Sequence, residues 1–311
     1  MLSVLALTLP FFGLVFLGFV MGRILKRPAE RLEWLNIFIL YLALPALFFQ
    51  LLAETPFEQL SNANFIIAVL TGTFLIFAIG FGIGLMRTRS VEGATIRALI
   101  GAYSNNGYLG PGLAITALGA PAAVPVALIF AFENTIFFIL TPILMALGGA
   151  VREPPLTMAF TILRRIFTHP FILAVIAGAL ASVYAWEPPD ALDRLLTMLR
   201  SAAAPCALFA MGVTVALQPP PTRDAVGDLS IFLGLKLLLH PLFAFIFVSM
   251  AGSDPLWLTT AILMAALPPA TNVFVLATQY RTFAEGASNA ILVGTATSAL
   301  TVTAILFALT R

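Results

Sequence analysis

The chain has 311 residues, of which 60% are hydrophobic and only 10% are charged, and its mean hydropathy is +1.03. About a quarter of the residues of a soluble domain are charged, so this composition excludes a soluble protein and indicates a membrane protein. The net charge of +2 excludes a strongly basic surface for nucleic acid. Cys206 is the only cysteine of the sequence, which excludes an internal disulfide.

Ten apolar segments are long enough to cross a bilayer, which takes about 20 residues in a helix. In chain order, the predicted spans are 3–22, 34–53, 64–86, 95–118, 122–148, 169–186, 192–217, 229–251, 256–279 and 286–309. The first segment exceeds the apolar core of a signal peptide, about 7–15 residues, so we predict that it is retained as span one. The chain is therefore predicted to be an all-α, multi-pass protein of the plasma (inner) membrane.

Lysine and arginine residues cluster in alternate loops between these spans. The clustered residues are Arg23, Lys26, Arg27, Arg31, Arg87, Arg89, Arg97, Arg152, Arg164, Arg165, Arg223 and Arg281. Because cytoplasmic loops carry an excess of basic residues, we predict that these loops face the cytoplasm and that both termini lie outside it.

A pattern of proline, phenylalanine and glycine recurs at one offset, 160 residues, as between Pro10 and Pro170. The same offset relates Phe11 to Phe171, Gly18 to Gly178, Ala43 to Ala203, Pro45 to Pro205 and Phe49 to Phe209. We predict two five-helix repeats, 1–150 and 151–311, and five spans per half require the second repeat to be inverted relative to the first. Inverted repeats are a recurrent plan of secondary transporters, although apolar low complexity could also repeat such residues.

Two spans contain helix breakers and polar side chains at membrane depth. Span four reads Gly101-Ala-Tyr-Ser-Asn-Asn-Gly-Tyr-Leu-Gly-Pro-Gly112, and span nine reads Leu267-Pro-Pro-Ala-Thr-Asn272. Proline removes a backbone donor and glycine tolerates unwound backbone, so both helices are predicted to break there. The candidate substrate-binding residues at the breaks are Asn105, Asn106, Gly107, Pro111, Pro268, Pro269, Thr271 and Asn272. Two purely structural proline kinks are the alternative.

Ionisable side chains within the spans are the candidates for coupling or ion binding. Glu133 and its neighbour Asn134 lie near the start of span five, and Lys236 and His240 lie four residues apart in span eight. An ionised group at the bilayer centre costs at least about 2.5 kcal/mol, so each needs a partner, a cavity or a role. Glu133 could relay a proton, help to bind a cation or pair with a base, or it could snorkel to the surface. Lys236 could face a carboxylate or Glu133, or it could snorkel.

Four segments resemble the auxin efflux carrier family, the PIN-like membrane transport proteins that include bacterial malonate and malate permease relatives. These segments are Tyr41-Leu-Ala-Leu-Pro-Ala-Leu-Phe48, Ser104-Asn-Asn-Gly-Tyr-Leu-Gly110, Ala203-Ala-Pro-Cys-Ala-Leu-Phe-Ala-Met-Gly212 and Ala266-Leu-Pro-Pro-Ala-Thr-Asn-Val-Phe-Val-Leu-Ala277. The chain departs from the family pattern where Pro111 directly follows Gly110, without an intervening apolar residue.

The resemblance implies a fold like that of the bile acid sodium symporters, with scaffold and transport domains each drawn from both repeats. Spans four and nine would cross at the substrate site, and an elevator-like movement would alternate access to it. The resemblance also implies organic-anion substrates, a homodimer, and a site lined by Asn105, Asn106, Gly107, Pro268 and Asn272.

The leading function is therefore secondary transport of mono- or dicarboxylates such as malonate or malate, or of auxin-like acids. Uniport, proton symport and sodium symport all stay open, with sodium near Asn106 and Asn272 as one ion position. The alternatives are a sodium-coupled symporter of larger, bile acid-type anions and a non-transporting membrane sensor. The chain lacks Gly-x-Ser-x-Gly, His-Glu-x-x-His and aspartate-rich motifs, so we expect neither an enzyme nor a cofactor or resident metal.

Overall fold

A computed structural model describes residues 2–25, 32–56, 58, 62–150, 154–217 and 223–309. Helices account for nearly all regular structure in these ranges, and the β-type pairing they contain is an isolated bridge between Ser104 and Pro269. The first helices are α1 (Leu2–Leu25), α2 (Glu33–Phe38), α3 (Leu44–Ala53), α4 (Ala63–Thr88), α5 (Val91–Ala102), α6 (Gly110–Leu118) and α7 (Ala123–Leu147). The others are α8 (Pro155–Phe167), α9 (Pro170–Val183), α10 (Asp190–Leu217), α11 (Arg223–Gly234), α12 (His240–Met250), α13 (Pro255–Ala265), α14 (Thr271–Gln279) and α15 (Ala284–Leu309).

Helices occupy all ten segments that the sequence predicts as spans. Two π-helical turns, Ile39–Ala43 and Leu235–Leu239, join α2 to α3 and α11 to α12 into longer helices. Within the described part of the chain, six helices are long and apolar enough to cross a membrane: Glu33–Ala53, Ala63–Thr88, Ala120–Leu147, Asp190–Leu217, Leu229–Met250 and Ala284–Ala308. The all-helical fold is therefore confirmed and is consistent with a membrane protein, while ten crossings and the inversion of the second half stay predictions. Lys26, Arg27, Arg31, Arg152 and the repeat boundary at 151 lie outside the described residues.

One helix occupies a segment that the sequence analysis treated as a basic loop. Helix α8 begins at Pro155, ends at Phe167 and contains Arg164. Its exposed apolar side chains, Leu156, Phe160, Leu163 and Phe167, recur every three or four residues, which places them on one face. The connection between predicted spans five and six therefore contains a helix that the sequence analysis did not predict, because its amphipathic pattern is shorter and more polar than a membrane span.

Contacts between Cα atoms divide the chain into two compact units. The first unit contains residues 1–63, 106–131 and 167–217, and the second contains residues 64–105, 132–166 and 218–311. Each unit thus takes segments from both predicted halves of the chain. The predicted division into repeats at residue 150 stays a prediction.

In the first unit, four helices pack through two reciprocal glycine contacts. Gly18 of α1 lies against the backbone carbonyl of Phe209 in α10, and Gly178 of α9 lies against the carbonyl of Phe49 in α3. The offset of 160 residues converts Gly18 into Gly178 and Phe49 into Phe209. The two contacts therefore exchange their partners, as a two-fold relation between the repeated segments requires.

In the second unit, an aromatic cluster surrounds the end of α5. The ring centroid of Phe137 in α7 lies 4.8 Å from that of Tyr103, 5.4 Å from that of Phe74 and 5.8 Å from that of Phe77. Tyr103 is the first residue after α5 and is almost completely buried. The ring of Tyr103 is therefore held in this aromatic cluster at the point where α5 ends.

We predict that the reciprocal glycine contacts make Gly18 intolerant of a side chain. A Cβ at Gly18 would overlap the Phe209 carbonyl, whereas a Cβ at Gly13 of the same helix meets nothing within 4 Å. We expect Gly18→Ala to destabilise the protein by about 1–3 kcal/mol and Gly13→Ala to be neutral or slightly stabilising. Melting temperatures of the purified variants in detergent test this, and equal melting temperatures would contradict it.

Candidate functional site

The two predicted helix breaks are confirmed, and they are bonded to each other through the backbone. Helix α5 ends at Ala102 and α6 begins at Gly110, while α13 ends at Ala265 and α14 begins at Thr271. The Asn105 N–H donates to the Pro268 carbonyl at 2.9 Å, and the Ala270 N–H donates to the Tyr103 carbonyl at 2.9 Å. The breaks thus form a short antiparallel bridge that satisfies backbone groups which the helices leave unpaired.

Pro268 and Pro269 explain why the second break occurs where it does. An α-helix would need the N–H groups of these two residues to bond the carbonyls of Met264 and Ala265, and proline has no N–H. The Met264 carbonyl instead accepts a long bond of 3.4 Å from the Leu267 N–H. The Ala265 carbonyl accepts a hydrogen bond from the side chain of Lys236 at 2.5 Å.

A hydrogen-bonded chain of side chains starts at Lys236. Its Nζ lies 2.7 Å from Ser104 Oγ in the first break and 3.1 Å from His240 Nδ1. His240 Nε2 lies 3.1 Å from Thr73 Oγ1, and the Thr73 hydroxyl donates to Glu133 Oε1 at 2.5 Å. Because a protonated lysine can only donate, Nδ1 of a neutral His240 must accept and Nε2 must carry the proton. Every bond then points from the ammonium towards the carboxylate.

A second chain starts at the residue next to Glu133. The Tyr103 hydroxyl donates to Asn134 Oδ1, and Asn272 Nδ2 donates to the Tyr103 oxygen at 3.2 Å. This series of hydrogen bonds links the middle of α7 to both breaks, because Tyr103 is the first residue of the first break and Asn272 lies just after the second break. The two chains together form what we call the polar cluster: Thr73, Tyr103, Ser104, Glu133, Asn134, Lys236, His240 and Asn272.

The structure corrects the predicted surroundings of two charged residues. Glu133 lies in the middle of α7 rather than near the start of a span, and only 2% of it is exposed. Lys236 is 0% exposed. The snorkelling interpretation is therefore wrong for both residues, because neither side chain reaches the surface of the described chain.

Most of the predicted site residues come together in the second unit. Asn105, Glu133, Asn134, Lys236, His240, Pro268, Pro269, Thr271 and Asn272 all belong to it. Asn106, Gly107 and Pro111 belong to the first unit, where a Cβ at Gly107 would come within 2.8 Å of the Phe130 ring and Pro111 lies in the first turn of α6. A role for these three residues in binding substrate stays a prediction.

Three members of the polar cluster were not predicted from the sequence. Tyr103 and Ser104 precede Asn105 in the polar segment of span four, and this position beside the break could have identified them. Thr73 carries no such signal, because it is one of several threonines in the long apolar helix α4. Among the described residues, no group of three or more His, Cys, Asp or Glu side chains is arranged to hold a metal ion.

We predict that Thr73 stabilises the cluster through its hydroxyl. Thr73→Val removes a partner from both Glu133 and His240, which should cost about 1–3 kcal/mol because these groups are buried. Thr71 is the matched control, since its hydroxyl donates to the Ile67 carbonyl of its own helix at an exposed position. Thermal unfolding in detergent should show a lower melting temperature for Thr73→Val and little change for Thr71→Val. Similar shifts for both variants would contradict a specific role.

The chain is similar in sequence to known membrane transport proteins. The sequence profile of a family described as "Membrane transport protein" matches residues 3–306. A protein of Rhizobium meliloti (strain 1021), named "Putative malonate transporter", is 48% identical over 309 residues, which cover 99% of this chain and 96% of the relative. The match extends across both helix breaks and all described helices of the polar cluster. The chain therefore belongs to the membrane transport protein family, the PIN-like auxin efflux carrier group that its motifs resemble.

Proposed function

We propose that the protein is a secondary transporter of small organic anions, with dicarboxylates such as malonate as its main substrates. The observation that carries this proposal is the pair of broken helices, bonded to each other and surrounded by buried polar side chains. Broken helices of this kind form the substrate sites of several transporter folds. The name of the R. meliloti relative supports malonate as the first substrate to test.

The start of α14 offers the chemistry that a carboxylate needs. The first N–H groups of a helix have no partner within it, and they carry a partial positive charge that attracts anions. Ala270, the N-cap residue of α14, has no side-chain oxygen to satisfy them, and its carbonyl accepts from the Val273 N–H at 3.0 Å. The Thr271 hydroxyl and the Asn272 amide, both only partly buried, add further donors at the same helix end. We place one substrate carboxylate at this end of α14.

We further propose that access alternates by an elevator-type movement of a transport domain against a scaffold domain. All members of the polar cluster belong to the second unit. A displacement of that unit as a body would therefore carry the proposed site with its hydrogen bonds intact. The resemblance to the auxin efflux carriers supports this proposal.

We also propose that the protein is a homodimer in the inner membrane, with both termini on the non-cytoplasmic side. The distribution of basic residues supports the orientation, and the family resemblance supports the dimer. Fusions of the C-terminus to a reporter that is active only outside the cytoplasm test the orientation. Activity of a reporter that works only in the cytoplasm would overturn it.

Uptake of labelled malonate into proteoliposomes tests the function directly. The purified chain is reconstituted, and a pH, sodium or voltage gradient is imposed separately in each sample. Unlabelled malonate, malate, acetate and indoleacetate serve as competitors, and protein-free vesicles are the control. We expect saturable malonate uptake that dicarboxylates inhibit more strongly than acetate. The proposal fails if none of these carboxylates is transported under any gradient.

We predict that Asn272→Ala greatly reduces malonate uptake. The substitution removes a polar group beside the proposed carboxylate position and its bond to Tyr103, and such losses cost about 1–3 kcal/mol, or roughly 5- to 150-fold in rate. Thr278→Ala in the same helix is the control, because the Thr278 hydroxyl is exposed and bonds only the Phe274 carbonyl. Expression and melting temperature are measured alongside. A parallel loss of folding and uptake would show that Asn272 is structural.

A further inference from the structure

The Lys236 ammonium has a complete set of partners in the interior of the protein. It lies in the π-helical turn between α11 and α12, within Leu229–Met250, a helix long and apolar enough to cross a membrane. Its three N–H donors meet three acceptors: the Ala265 carbonyl at 2.5 Å, Ser104 Oγ at 2.7 Å and His240 Nδ1 at 3.1 Å. A lysine head group has three donors and no acceptor. Its hydrogen-bonding capacity is therefore filled by these contacts alone.

Two of these acceptors belong to the two helix breaks. The Ala265 carbonyl ends α13 and lacks a helical donor because residue 269 is proline. Ser104 is the residue of the first break that pairs with Pro269 in the antiparallel bridge. In transporters with broken helices, freed carbonyls at the ends of half-helices coordinate small cations such as sodium. In this protein an ammonium group already occupies such a position.

The charges around Lys236 also balance. Glu133 is the other formally charged member of the polar cluster, and it is linked to Lys236 through the hydrogen bonds of Thr73 and His240. Neutral His240 and Thr73 connect the two charges through bonds that all run in one direction. A second cation at this point would meet the ammonium at close range, without a further carboxylate in the cluster to offset it.

We propose that Lys236 is a resident cation at the paired helix breaks, taking the place of a bound sodium ion, so that anion transport does not require sodium. This inference deepens the proposed function. Its statement that transport does not require sodium rests on that function. It also assigns Lys236 as a positioning residue, because its ammonium holds the two breaks in register through Ala265 and Ser104. The substrate itself need not touch it.

The wild-type protein provides the first test. Its melting temperature and its malonate uptake are measured in sodium, potassium and choline chloride of equal concentration. We expect all three media to give the same melting temperature and the same uptake within about twofold. A requirement for sodium in either measurement overturns the proposal. The melting temperature needs no substrate, so a failure to transport malonate would leave this readout intact.

Two substitutions of Lys236 separate its charge from its volume. Lys236→Ala removes the ammonium and leaves space beside the Ala265 carbonyl and Ser104 Oγ, whereas Lys236→Met removes the charge but keeps the bulk of the side chain. We expect the melting temperature of Lys236→Ala to rise by about 4 °C or more in sodium or potassium relative to choline. Lys236→Met should show no such rise, because its side chain fills the ion position. If the melting temperature of Lys236→Ala is the same in sodium, potassium and choline, the proposal is overturned.

Removing the opposite charge provides the matched control. In Glu133→Gln/Lys236→Ala, no uncompensated carboxylate remains, so the response to sodium or potassium should fall to the wild-type level. A purely structural lysine would give cation-independent losses in both Lys236→Ala and the double variant. If Lys236→Ala fails to fold in choline, its recovery as a monodisperse protein in sodium supports the proposal. Failure to fold in all three media contradicts it.

Discussion

Backbone groups without partners are costly in an apolar protein, and the Pro268-Pro269 pair creates two of them at the end of α13. The carbonyls of Met264 and Ala265 lose the donors that a continuous helix would supply. The Met264 carbonyl accepts a long hydrogen bond from the Leu267 N–H, and the Ala265 carbonyl accepts a hydrogen bond from the Lys236 ammonium. The first break bonds further backbone groups of the second: the Asn105 N–H donates to the Pro268 carbonyl, and the Ala270 N–H donates to the Tyr103 carbonyl. The buried Lys236 thus bonds a carbonyl that the proline pair deprives of its helical donor.

In the polar cluster, buried side chains likewise satisfy one another through hydrogen bonds. Lys236 needs a counter-charge once it is buried, and Glu133 provides it through His240 and Thr73. Partly satisfied polar networks are costly, while fully bonded ones hold a single arrangement. The second chain, through Tyr103, ties Asn272 to the same helix as Glu133. A carboxylate at the start of α14 would therefore meet a helix end whose side chains are already held in place.

The sequence predicted several of these features for identifiable reasons. Proline and glycine act on the backbone locally, so their positions along the chain were enough to place the breaks in spans four and nine. The spacing of Lys236 and His240 correctly put both on one helix face. The burial of Glu133 and Lys236 could not be predicted, because it depends on which helices pack around them. Thr73 was missed for the same reason: a hydroxyl in an apolar helix is informative only when its neighbours are known.

The amino-acid sequence by itself determined the membrane environment, the helical segments, the breaks and the family, because composition, apolar run length and proline chemistry are local properties. It also contained the residue pattern that recurs at an offset of 160, and two glycines of this pattern make reciprocal contacts in the first unit. Only the tertiary structure decided which polar groups meet. Contacts such as Lys236 with Ser104, 132 residues apart, depend on how separate helices pack, and no spacing along the chain encodes them.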